Sequence, residues 1–191
     1  MIVPAFAPVL LGMTLMLNAF QAIAQPIVEI ETNLGTIEIT LHPEVAPGHV
    51  ENFLNYVNDG DYSNSFFHRS VPGFIIQAGG FAYSNQQFSY VPADPAVPNE
   101  FNLSNVRGTV AMAKLGSDPD SATNQWFINL ADNAANLDNQ NGGFTVFGTV
   151  TSGMAVADAI ADLDIINASG VFNNLPIRNI SSLSNLSLIH I

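Results

Sequence analysis

The chain has 191 residues, 48% hydrophobic and 10% charged, with 4 Lys or Arg against 16 Asp or Glu and a formal net charge of −12. That length fills one domain with a full core and falls short of two comfortable ones. So acidic a chain lacks the basic surface that phosphate backbones require, which argues against nucleic acid as a partner, and the absence of cysteine removes disulfides, thiolate nucleophiles and Cys-ligated zinc.

The first segment, "MIVPAFAPVLLGMTLMLNAFQAIAQP", is apolar, carries no charge, and closes on Ala22-Ile23-Ala24 before Gln25. This small-x-small ending predicts a signal peptide over residues 1–24 and a mature, exported domain over residues 25–191, with no stable membrane association after cleavage. The basic stretch that usually opens such a signal is missing, so an uncleaved anchor or a buried helix is the competing reading.

From Gln25 onward the pattern alternates. In "IVEIETNLGTIEITL" Val28 and Ile30 share one face, as do Ile37, Ile39 and Leu41, and Asn33-Leu34-Gly35 makes a tight connection; this predicts a β-hairpin with one wet face. In "PGHVENFLNYVNDG" the spacing of Val50, Phe53, Leu54 and Val57 predicts an amphipathic helix, with Pro47 in its first turn and Gly60 ending it. Short strands are expected at 65–68, 74–78, 109–113, 125–130 and 144–150. A second helix is expected over "SGMAVADAIADL", capped by Ser152, with Val156, Ile160 and Leu163 inward. The Asn-, Ser- and Pro-rich stretch 81–105 reads as a long surface loop, and "IRNISSL" as a last strand-like segment. Many short strands with two helices predict a mainly β fold, a closed antiparallel barrel or a sandwich.

The chemistry is narrowed first by exclusion. There is no G-x-S-x-G, no H-E-x-x-H, no phosphate-binding glycine loop and no dinucleotide fingerprint. His42, His49, His68 and His190 show no ligand spacing and are read as surface or structural residues. The Asp118-Pro119-Asp120 stretch lacks the glycine turn and the following Glu of a calcium loop. What remains is a set of polar side chains planted in apolar runs: Arg69, Gln77 and Gln125. A half-buried Arg must be hydrogen-bonded, and Gln holds a guanidinium without neutralising it. A functional site and a polar cluster that sets strand register fit these residues equally well on spacing alone.

The ordered set "FFHRSVPGFIIQAGG", "GTVAMA", "SATNQWFINLADN", "LDNQNGGFTVFGTV" and "GMAVADAI" resembles the cyclophilin-type peptidyl-prolyl cis/trans isomerases, most closely their bacterial periplasmic branch, from about Val28 to about Leu163. The resemblance implies a closed eight-stranded antiparallel barrel capped by two α-helices, and a periplasmic, monomeric isomerase that needs no metal and no cofactor. It implies Arg69 and Gln77 as catalytic residues. It implies Phe74, Ile75, Met112, Phe127 and Leu137 as the proline pocket, with Ala113 and Gln125 beside it and Phe144 as an aromatic wall. His68 is expected to be structural. Proline-containing flexible polypeptides are the implied partners. The chain departs from that pattern at Ala78, where glycine is usual, at Asn136, where an aromatic is usual, and at Phe144, where His or Tyr is usual; weak binding of cyclosporin-type ligands is expected from Asn136 and Phe144.

Rotation about an X-Pro bond is opposed by amide resonance, with a barrier of about 18–20 kcal/mol, and no bond is broken. A guanidinium that donates to the prolyl nitrogen as it pyramidalises stabilises the twisted state over the planar one, and an apolar pocket that grips the ring supplies positioning. The alternative is a module of the same fold that holds proline-containing segments as a chaperone without turnover. A secreted hydrolase using a carboxylate pair is a remoter third reading.

Overall fold

Alternating apolar residues build the first hairpin of the computed structural model, which describes residues 25–178 and 189–190. Strands β1 (Ile27–Thr32) and β2 (Gly35–Leu41) pair antiparallel with Ile30 opposite Ile37. Val28, Ile30, Ile37, Ile39 and Leu41 are all buried, as the alternation predicts. The expected signal, residues 1–24, lies outside the described residues, as does most of "IRNISSL"; its first residue, Ile177, ends a short strand described below.

Helix α1 (Pro47–Asp59) begins with Pro47 in its first turn and ends at Gly60 in the left-handed conformation. No side chain adjacent to its start caps it. The cap comes from the distant Glu100, whose carboxylate accepts the backbone N–H groups of Gly48 at 3.1 Å and His49 at 3.0 Å, and the His49 ring at 2.8 Å. Four orphan donors at a helix start favour such an anion. His49 is buried, and that burial lowers its pKa despite the Glu100 bond, which acts the other way.

The remaining strands of the main sheet are β3 (Arg69–Val71), β4 (Ile75–Ala78), β7 (Thr109–Met112), β8 (Trp126–Asn129) and β9 (Val146–Ser152). Strands β5 (Phe81–Ser84) and β6 (Gln87–Tyr90) form a separate hairpin, and β10 (Asp164–Ile166) pairs with β11 (Leu175–Ile177). The main sheet is antiparallel, in the order β1-β2-β9-β7-β8-β4-β3, and the two-residue β12 (Ile189–His190) adds to the outer edge of β1. Its seven longer strands curl around the core as a half-barrel. The ladder that would close the expected eight-stranded barrel is not among the described pairings.

Helix α1 packs on β9, and helix α3 (Met154–Ala161) on β2 and β4. A one-turn helix, α2 (Ala134–Leu137), adds a third to the two expected. Inside the curl, Phe53 of α1 lies edge-on to Trp126 at 5.9 Å and tilted on Phe147 at 5.0 Å, which ties helix to sheet through aromatic contact. Among the described residues, no helix is long and apolar enough to cross a membrane.

Four local expectations are corrected. The strand sought at 65–68 is shifted: residues 65–66 make only isolated bridges, and pairing begins at Arg69. The stretch 81–105 is not all loop, because Asn85 and Gln86, at φ 51° and 63°, turn the chain between β5 and β6. Turns with two positive φ values match strand twist, and Asn tolerates them. Ser152 is the last residue of β9 and does not cap α3; Gly153, at φ 83°, takes that position. A Cβ at Gly153 would lie 2.2 Å from the Thr36 carbonyl oxygen, so glycine is required there by close approach as well as by φ. Of the three residues expected to point inward from α3, Ile160 is buried, whereas Val156 and Leu163 are half-buried, with Leu163 beyond the helix end.

Candidate active site

Period-two alternation places two different sets of side chains on the two faces of the curled sheet. Ile76 and Ala78 of β4, Val110 and Met112 of β7, Trp126 and Ile128 of β8 and Phe147 of β9 enter the main core. Their neighbours Ile75, Ala111, Phe127 and Val146 face the other way and form a second apolar cluster with Leu137, against which Phe74, Ala113 and Phe144 pack. On this outer face lies a cavity of about 350 Å³ lined by Arg69, Phe74, Ile75, Gln77, Lys114, Phe127, Asn136, Leu137, Gln140 and Phe144. Phe127 and Phe144 meet edge-on at 5.8 Å.

Arg69 and Gln77 are direct partners across the β3–β4 ladder. Arg69 Nη1 donates to Gln77 Oε1 at 3.4 Å, and Gln77 Nε2 donates to Gln125 Oε1 at 2.8 Å. The guanidinium is half-buried, and that burial lowers its pKa from the usual arginine value; a guanidinium nonetheless keeps its charge in proteins. Its chain of partners is entirely neutral amide. The Arg69 charge therefore faces the cavity without a carboxylate to offset it, and among the described ion pairs none includes Arg69.

His68 immediately precedes Arg69 in the sequence. It is buried and lies edge-on to Phe81 at 4.8 Å between ring centres. Burial, with the Arg69 charge adding to it, lowers its pKa to about 4. At neutral pH the ring is therefore neutral.

Of the residues singled out from sequence, Arg69, Phe74, Ile75, Gln77, Phe127, Leu137 and Phe144 line the one cavity. Ala113 and Gln125 line an adjoining cleft with Lys114, Leu115, Ser121 and Thr123. Met112 is a correction. It is fully buried in the main core, on the opposite face of β7 from Ala111, because strand alternation sends consecutive residues to opposite sides.

Sequence reasoning missed Lys114, which borders both cavity and cleft. Its rarity as one of four cations was the available signal. Also missed was a buried asparagine chain beneath the cavity. Asn133 Nδ2 donates to the Phe74 carbonyl at 2.8 Å and to Asn129 Oδ1 at 2.7 Å; Asn129 Nδ2 donates to Asn105 Oδ1 at 3.2 Å; Asn105 Nδ2 donates to the Phe144 carbonyl at 2.9 Å. All three asparagines are buried, so their mutual bonds satisfy groups that would otherwise be costly. The chain joins the backbones of two cavity-lining residues, Phe74 and Phe144. No spacing rule in sequence announces it.

The arrangement is a largely apolar pocket with two cations at its edge, Arg69 held by neutral amide side chains and Lys114 by an amide and two backbone carbonyls. Its comparison with known proteins is consistent along the whole domain. The family model described as cyclophilin type peptidyl-prolyl cis-trans isomerase/CLD matches residues 27–182. Peptidyl-prolyl cis-trans isomerase A of Dickeya dadantii is 42% identical over 174 residues, covering 89% of this chain and 88% of that protein. A peptidyl-prolyl cis-trans isomerase of Acinetobacter baylyi is 40% identical over 171 residues, covering 88% and 89% respectively. In three dimensions, a Cryptosporidium parvum cyclophilin-type isomerase crystallised in the presence of the dipeptide Ala-Pro superposes with a TM-score of 0.64 at 23% identity, covering 87% of this chain and 98% of that one, a likeness of fold. On the family match and these relatives, the chain belongs to the cyclophilin-type peptidyl-prolyl cis-trans isomerases and catalyses cis/trans isomerisation of X-Pro bonds.

Proposed function

We propose that this isomerase acts on proline-containing segments of exported polypeptides as they fold, and that Arg69 stabilises the twisted amide. The substrate's prolyl ring enters the cavity between Phe74, Ile75, Phe127, Leu137 and Phe144. The neighbouring residues of the peptide lie along the cleft of Ala113 and Gln125. Arg69 then faces the prolyl nitrogen and donates to its lone pair as resonance is lost, while Gln77 keeps the guanidinium aimed. Each tenfold gain in rate requires about 1.4 kcal/mol, within the reach of one charge-assisted hydrogen bond in a partly dry groove.

The observation that carries this reading is the Arg69 guanidinium at the edge of an apolar pocket, held by Gln77 at 3.4 Å with no carboxylate partner among the described ion pairs. The Ala-Pro dipeptide present in the crystals of the Cryptosporidium relative supports a proline-containing peptide as the ligand. The apolar, uncharged stretch 1–24 ending in Ala-Ile-Ala supports export to the periplasm as a cleaved domain of residues 25–191. The curl of the seven-stranded sheet around one core supports a closed eight-stranded barrel as its complete form. Asn136 at the cavity rim, exposed and without a ring, supports weak binding of cyclosporin-type ligands.

The test is NMR exchange on an Ala-Pro peptide with wild type and Arg69→Ala. Loss of most of kcat with retained peptide binding is the expected result, and equal rates would overturn the role of Arg69. Peptide binding by wild type without turnover would favour the non-catalytic chaperone reading.

A further inference from the structure

Lys114 lies just after β7 and is half-buried between the cavity and its adjoining cleft. Its Nζ donates to Asn99 Oδ1 at 3.1 Å, to the Asn141 carbonyl at 2.8 Å and to the Gly143 carbonyl at 2.6 Å. An ammonium has three donors, and all three are used within the protein. The same Nζ stands 5.1 Å from the centre of the Phe144 ring, within the range of a cation–π contact. Burial lowers the Lys114 pKa, while Asp120 and Asp118 act the other way.

These contacts bring together three separate pieces of chain. Asn99 belongs to the stretch after β6, Asn141 and Gly143 to the turn before β9, and Lys114 to the segment just after β7. The turn ends on Phe144, whose carbonyl is held from the other side by Asn105 at 2.9 Å. The Phe144 ring therefore rests on Lys114 and Phe127, while the carbonyl just before it is tied to Lys114. The turn itself has left-handed residues at Asn141, Gly142 and Gly143, at φ 49°, 76° and 79°. A run of such residues has weak preferences of its own, so its position depends on the bonds it receives.

We propose that Lys114 is a positioning residue for the isomerase reaction: it fastens the 140–144 turn so that Phe144 stands as a fixed wall of the proline pocket. Lys114 touches no reacting atom in this role and leaves Arg69 and Gln77 undisturbed. Its removal should therefore raise KM and leave kcat nearly unchanged, whereas loss of the Arg69 charge acts on kcat. This inference rests on the ring-binding use of the cavity.

The experiment compares wild type, Lys114→Met and Lys114→Arg in NMR exchange on an Ala-Pro peptide, with the peptide Kd from chemical-shift titration and folding from thermal melts. For folded Lys114→Met, KM and Kd should rise about fivefold or more, kcat should stay within about twofold, and Lys114→Arg should recover most of the affinity. An unchanged KM and Kd, or an equal loss of kcat, would overturn the inference. Should Lys114→Met fail to fold, Lys114→Gln, shorter and uncharged, is read by the same criteria. Wild type that binds peptide without turnover would count against the isomerase mechanism, and the Kd comparison would still decide the role of Lys114.

Discussion

Arg69 and Gln77 face each other across the β3–β4 ladder, and the bond between them, 3.4 Å from Nη1 to Oε1, links a cation at the cavity edge to a chain of neutral amides. Because Gln77 is itself held by Gln125 at 2.8 Å, its acceptor oxygen has one direction, and so has the guanidinium. Replacing Gln77 with Leu keeps volume and removes both bonds. We expect kcat to fall about tenfold, equivalent to ~1.4 kcal/mol, with little change in KM, measured by NMR exchange. A kcat equal to wild type would show that Arg69 needs no orientation by its strand partner.

Gly80 gives Gln125 its space. A Cβ at Gly80 would lie 2.8 Å from Gln125 Cδ and 2.9 Å from Nε2, too close for the amide to stay in place. Gly80→Ala should therefore displace Gln125 and, through Gln77, loosen Arg69. The expected result is a loss in kcat/KM of roughly threefold to tenfold with stability changed by less than ~1 kcal/mol. The same substitution made in a Gln125→Ala background should cost nothing further, the signature of two residues acting through one contact.

His68 predicts an acid-side instability. Its pKa is lowered from 6.5 to about 4, first by burial and then by the Arg69 charge. A group whose folded pKa is depressed contributes stability above its unfolded pKa and loses it as pH falls. The loss should run from about pH 6.5 down to about pH 4 and total about 3 kcal/mol. Denaturant unfolding of wild type and His68→Asn across this range checks it. His49 shifts in the same direction, so the quantity to read is the difference between the two profiles, and parallel profiles would refute the assignment.

Glu100 should matter to stability and little to catalysis. Its carboxylate takes two backbone donors at the start of α1 and the His49 ring, on residues that do not line the cavity. Removing a cap and leaving a buried ring unpaired costs about 2 kcal/mol. Glu100→Ala should lower the free energy of unfolding in urea by that amount while the folded fraction keeps wild-type kcat/KM. A reduced kcat with unchanged stability would contradict this division.

Much of the site was legible because its apolar members sit in strands. Arg69 and Gln77 stood out as polar side chains in apolar runs, and the family resemblance pointed to Ile75 and Phe127 on the strands that carry them. Met112 was misplaced for the same reason that its neighbours were found: family likeness pointed to the segment, and only the phase of β7 decides whether residue 111 or 112 faces the pocket. The β5–β6 hairpin was read as loop because its strands are short and its turn, Asn85-Gln86, lacks glycine.

Taken alone, the chain's residue pattern determined the local elements whose causes are local: the β1–β2 hairpin by period-two burial, α1 by Pro47, apolar spacing and Gly60, and the need for Arg69 to find neutral partners. The tertiary structure decided what depends on distant segments meeting. Glu100 caps a helix about fifty residues before it, three buried asparagines join Phe74 to Phe144, and Lys114 gathers Asn99, Asn141 and Gly143. Such bonds join fixed backbone positions brought close by the curl of the sheet, and no periodicity encodes them. A hydrogen bond requires distance and angle, which sequence spacing specifies within an element and only packing specifies between elements.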